Sequence, residues 1–264
     1  SDEKNTGEVI EKIIDTSDNL VEGVVENLSD KDNKFLTTTT SEGAGLIKEK
    51  IFETIVAKET DKSAAILSKV MAKSDDATVF SVINNITEKN TNQNSKLSLK
   101  VMADFSEKNS EKLESLAQNS ADQIQKLTVS AVEEAASSQE DADLIGKIVS
   151  GASEEVINKV ITEVTKNSTE EKQALSAKVM KTIVETNPDK METLSDENKE
   201  NIITQTIQAA KNQSEGTSTD DLDLTNTIAE IISNSDCKFN DQAFKFYKIS
   251  FCCINFLCLD NTYH

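Results

Sequence analysis

The stretch Leu175–Leu194, LSAKVMKTIVETNPDKMETL, decides the reading of this chain, because the chain carries it twice. Counting back 78 positions, Leu97–Leu116 reads LSLKVMADFSEKNSEKLESL, and ten of the twenty positions are identical without a gap. Biased composition alone rarely keeps position so well, so a duplicated structural unit is the simpler account. A shorter echo, Lys69-Val70-Met71, stands 31 residues before Lys100-Val101-Met102.

Outward from these copies, the offsets suggest a unit. Met71, Met102 and Met180 are separated by 31 and 78 residues, close to two and five steps of about 15.6. One such step suits a three-turn helix with its connection, and two suit a helical hairpin. The correspondence extends further: Ile124 and Thr128 map onto Ile202 and Thr206, and Asp143-Leu144 onto Asp223-Leu224 after a two-residue slip. At an offset of 109, Ile47, Ile51 and Ile55 map onto Val156, Val160 and Val164.

Composition fits helices. Trp is absent, aromatics are 4%, and 264 residues hold one Pro and seven Gly, too few for the many tight turns of a β-sandwich or barrel. Apolar residues come as adjacent pairs about once per turn: Ile51-Phe52 with Ile55-Val56, Leu144-Ile145 with Ile148-Val149, and Val156-Ile157 with Val160-Ile161. A stripe that wide suits a helix touching two neighbours, whereas a two-stranded coiled coil needs a narrower seam held over several heptads. Thr60 and Ser74 read as N-caps, and Ser120 with Gln123 and Ser168 with Glu171 have capping-box spacing. Asn187-Pro188 closes the helix of Met180, since Pro disfavours helical geometry in the residue before it.

The expected organisation has four parts: an N-terminal helical hairpin over 1–29, a Thr/Ser-rich loop or linker over 30–44, a helical body over 45–236 and a tail over 237–264. The tail is different material, with all four Cys, both Tyr, the single His264 and five of nine Phe. A zinc site from Cys252, Cys253, Cys258 and His264 fits poorly, since adjacent Cys ligands lack a second spaced pair. The apolar run 249–259 is well short of the roughly 20 residues that span a bilayer. The tail's mixture matches out-of-frame translation of AT-rich DNA, with a hydrophobic cap on the last helix as the structural alternative. The start at Ser1, without Met or leader, reads as a processed or excised piece.

Charge and chemistry narrow the function. The net charge is −19, and every one of the 28 cations is Lys. Such a balance argues against binding nucleic acid or an anionic membrane surface, both of which need a basic face. Residues 1–236 contain no His, Cys, Tyr, Trp or Arg, which leaves carboxylates, Lys, Ser and Thr as the only groups for catalysis. The clusters Glu133-Glu134, Glu140-Asp141-Asp143 and Asp220-Asp221-Asp223 read as solvated acids in turns and first helical turns. Asp221-Leu222-Asp223 lacks the Gly and distant Glu of an EF-hand loop, and no Gly-rich phosphate loop is present. Ser176 and Lys178, like Ser98 and Lys100, stand two apart on a helix and point away from each other. The repeated Lys is therefore expected to face solvent beside the buried Val and Met.

These readings predict an all-α protein, an array of short amphipathic helices of about 15–16 residues per helix-turn unit forming a helical-repeat solenoid or an irregular bundle. The function they favour is non-enzymatic: a structural, spacer or protein-interaction segment of a longer acidic repeat protein. No catalytic, cofactor-binding or metal residues are assigned. The partners are other proteins or further repeats of the same polypeptide, not nucleic acid or membrane. The alternative is a binding module holding a peptide or small ligand between hairpins, with Phe52, Phe80 and Phe105 as the aromatics to line it.

Overall fold

Apolar pairs at one-turn spacing dictate helices with a broad buried face, and helices form wherever that spacing occurs among the described residues. The structure is a computed structural model that describes residues 23–27, 42–89 and 96–214. All of its regular structure is α-helical. In chain order the helices are α1 (Glu42–Val56), α2 (Asp61–Lys73), α3 (Asp76–Lys89), α4 (Leu97–Lys108), α5 (Ser110–Asn119) and α6 (Ala121–Glu134). They continue with α7 (Gln139–Gly151), α8 (Glu154–Thr165), α9 (Glu170–Thr186), the single turn α10 (Asp189–Glu192) and α11 (Asp196–Ser214). A further turn of helix covers 23–27. Helix α1 begins at Glu42, inside the stretch read as a linker. The rest of the N-terminal hairpin, most of that linker, the Asp220-Asp221-Asp223 cluster and the Cys-rich tail lie outside the described residues.

Helix boundaries follow local chemistry. Thr60 caps α2 with a full capping box, its side chain accepting the Ser63 amide while the Ser63 hydroxyl accepts the amide of Thr60. Ser74, expected to start α3, instead ends α2; Asp75 does the capping, its carboxylate accepting the Thr78 amide at 2.9 Å. Thr169 rather than Ser168 caps α9, through the Lys172 amide. Ser120 stands at the N-cap of α6 without a side-chain cap bond, so the expected box there does not form. Asn187 ends α9 ahead of Pro188, and Asn109 ends α4 in nearly the same backbone conformation. The amides of Asn109 and Asn187 donate to Phe105 and Ile183, which are equivalent positions of the two sequence copies.

Packing joins helices that are not adjacent in the chain. Helix α2 packs on α4, α4 on α7, α7 on α9 and α9 on α11. In a parallel series α1 packs on α3, α3 on α6, α6 on α8 and α8 on α11. One continuous core of Ile, Val, Leu, Ala, Met and two fully buried Phe runs through both series. Val101, Met102, Val179 and Met180 are all fully buried, and the helices that carry them, α4 and α9, both pack against α7. Two glycines let α7 approach those neighbours closely. A Cβ on Gly151 would collide with the backbone carbonyl of Ser106 in α4, and one on Gly146 would press on the Thr182 methyl in α9.

Candidate functional site

The most elaborate polar arrangement among the described residues is the connection between α6 and α7, which three lysines from other parts of the chain hold. Its centre is Asp141, on the first turn of α7 and fully buried. Lys96 donates to both carboxylate oxygens at 2.6 and 2.8 Å, and the Ala136 amide donates to one of them at 2.8 Å. The Asp141 amide in turn donates to Ser138, the N-cap of α7. One side chain thus folds the connection back on its own helix and ties it to the start of α4. Lys96 occupies the left-handed region, φ 56°, an uncommon place for a residue with a Cβ. Its bonds to Asp141 offset the conformational cost, which is on the order of 1–3 kcal/mol.

Glu134, the last residue of α6, completes the corner. It is buried, and its carboxylate accepts the Leu99 amide at 3.1 Å, one of the free donors in the first turn of α4. Ser98 and Ser130 pair their hydroxyls at 2.7 Å beside it. From the other side, Lys172 donates to the Val132 carbonyl at 2.9 Å and Lys178 to the Ser137 carbonyl at 2.6 Å. Burial holds the Lys172 ammonium below its usual pKa range, against the opposing pull of Glu171, Glu133 and Glu163. Gln139 and Asp143 meet Thr182 of α9.

Chemically this arrangement holds rather than transfers. Asp141 has no exposed surface, and its two oxygens already accept three bonds. The solvated reading of the acidic clusters therefore fails at Glu134 and Asp141, although it suits the exposed Glu133 and Glu140. Their partners lie 35 and 45 residues away, out of reach of any local pattern. One signal did point here: Ser138 and Asp141 have the S-x-x-D spacing of a helix start.

Of the two repeated lysines, Lys178 departs from the expected solvent-facing place, whereas Lys100 stays partly exposed. Lys178 is buried against the Ser137 carbonyl, and Lys100 is paired with Asp61 at 2.6 Å. Ser176 donates to the Lys172 carbonyl, so Ser176 and Lys178 take separate partners, as their spacing requires. Phe52 and Phe105 are fully buried core side chains and Phe80 packs against the same core, so the three aromatics serve the interior. Among the described residues no group of three or more His, Cys, Asp or Glu is placed to hold a metal ion, and no helix is long and apolar enough to cross a membrane. A comparison of the chain with protein-family models, curated protein sequences and solved structures finds no match.

Proposed function

We propose that this chain is a structural or protein-interaction segment built as an array of helical hairpins, with no catalytic role. What carries the reading is the agreement between sequence copies and packing series. Sequence matches link α2, α4 and α9 with one another, and α1 with α8 and α6 with α11, and each matched set falls within one series of successively packed helices. The likeness reaches single bonds: Thr128 donates to the Ile124 carbonyl at 2.8 Å, and its counterpart Thr206 to the Ile202 carbonyl at 2.7 Å.

Side-chain bonds between units support the same reading. Asn85 bonds Glu49 across 36 residues, Lys147 pairs with Glu107, Thr162 bonds Asn198 across 36, and Asn212 bonds Gln173 across 39. A recurring reach of that length is what stacked hairpins produce, each contacting its neighbours. On this reading the hairpin, not the single helix, is the repeating object, and the 78-residue offset spans two hairpins, one enlarged by α5. Arrays suit spacing and docking, because their length can change without redesign of the core.

A copy deletion tests the proposal. Removing residues 98–175 joins Leu97 to Ser176 and keeps the duplicated register. In an array the shortened chain folds, with unchanged ellipticity per residue and a cooperative thermal transition. In an irregular bundle it loses its core. Removing 98–180, which cuts the second copy behind its Met, is the control and unfolds in either case.

A further inference from the structure

Two of the identities shared by the copies are lysines twelve positions apart, Lys100 with Lys112 and Lys178 with Lys190. All four reach back along the chain. Lys100 pairs with Asp61, the first residue of α2, and Lys112 donates at 2.7 Å to Asp76, the first residue of α3 across the short turn that follows α2. Lys178 donates to the Ser137 carbonyl, just before the N-cap of α7, and Lys190 donates at 3.1 Å to the carbonyl of Ala152, the C-cap of α7. Each pair therefore spans one helix of the preceding hairpin: Lys100 and Lys178 sit on α4 and α9, which pack on α2 and α7, and Lys112 and Lys190 follow on α5 and α10. The gripped points are 15 residues apart both times, Asp61 to Asp76 and Ser137 to Ala152. The acceptors are carboxylates in one case and carbonyls in the other, so what recurs is the place and not the residue.

We propose that each pair is a two-lysine clamp, an interaction surface whose partner is the preceding hairpin of this same chain, and that it sets the register between successive hairpins. The inference rests on the array reading. Burial of aliphatic stripes is non-directional and tolerates a slide along the helix, whereas two ammonium groups held at points fifteen residues apart accept a single alignment. At Lys190 the helix adds its own attraction, because unpaired carbonyls at a C-terminus favour a cation, whereas Lys112 relies on the Asp76 carboxylate that opens α3.

Hydrogen exchange of the full chain, read peptide by peptide, tests this. The double variant Lys100→Met, Lys112→Met is expected to raise exchange in α2 by about tenfold while α7 stays at the wild-type rate. Lys178→Met, Lys190→Met is expected to do the reverse, raising α7 and sparing α2. Unchanged exchange in the gripped helix, or an equal rise in every helix, overturns the clamp. Should the first double variant fail to fold, Asp61→Asn, Asp76→Asn removes the two negative charges that Lys100 and Lys112 meet while leaving the lysines in place, and the same α2 peptides decide. The copy deletion tests the array itself, so an array that holds without a clamp, and a clamp in a chain that is no array, give different results.

Discussion

Asp141 shows how much of the structure hangs on single buried charges. Removing it leaves the Lys96 ammonium without its partner and the Ala136 amide without an acceptor, in a chain position already at positive φ. Breaking a buried pair from one side costs about 3–5 kcal/mol, so Asp141→Ala is expected to lose stability on that scale in urea unfolding. Lys172 makes a different prediction, about pH. Its folded pKa lies below 10.5, so between the two values the unfolded chain binds the extra proton. Stability therefore rises with pH in that alkaline window and carries the full burial penalty below it. Lys172→Met removes the term, so the wild type is expected to gain on the variant as pH climbs toward 10.5 and to run parallel to it near neutrality. Composition could not single out either residue. Glu140, Asp141 and Asp143 look alike in sequence, and only the chain's return 45 residues apart makes one of them a junction.

At the scale of one helix and its neighbour, the apolar stripes were fully legible and the ends less so. Val101, Met102, Val156, Val160, Val179 and Met180 were readable as core because burial follows helical period. Caps were harder, since Ser74 and Asp75, or Ser168 and Thr169, are adjacent and equally able to accept an amide. Thr60→Ala is expected to cost about 1 kcal/mol through loss of its cap, while Ser74→Ala stays near neutral. The glycines of α7 were not legible, because their role lies in a neighbour that the sequence does not name. Gly151→Ala meets a backbone carbonyl that cannot swing aside, so a loss of about 1–3 kcal/mol or more is expected. Gly146→Ala meets a side-chain methyl instead. Combining it with Thr182→Ser, which deletes that methyl, should restore most of the loss, and a double-mutant cycle would read the coupling directly.

For the molecule as a whole, the duplication suggested repetition from sequence and left two lengths for the repeating object, a single helix with its turn or a helical hairpin. On the proposed reading the unit is the hairpin, and α5 obscures a count by single helices because it adds an extra helix to one of the hairpins. Charge acts at this scale too, and two effects compete when salt is added. Ion pairs such as Lys62–Glu26 and Lys147–Glu107 weaken, yet both are about half exposed and contribute about 0–1 kcal/mol each. Against them stands the mutual repulsion of 47 acidic side chains offset by only 28 lysines, which compaction brings together and which ions screen beyond roughly 10 Å. The buried bonds of Asp141 and Lys178 are sheltered from that screening. Repulsion should therefore win, and Tm is expected to rise between low salt and about half-molar sodium chloride at neutral pH. A Tm that falls across that range would mean the inter-hairpin ion pairs outweigh the net charge, and stability would then rest on surface pairing rather than on the apolar core.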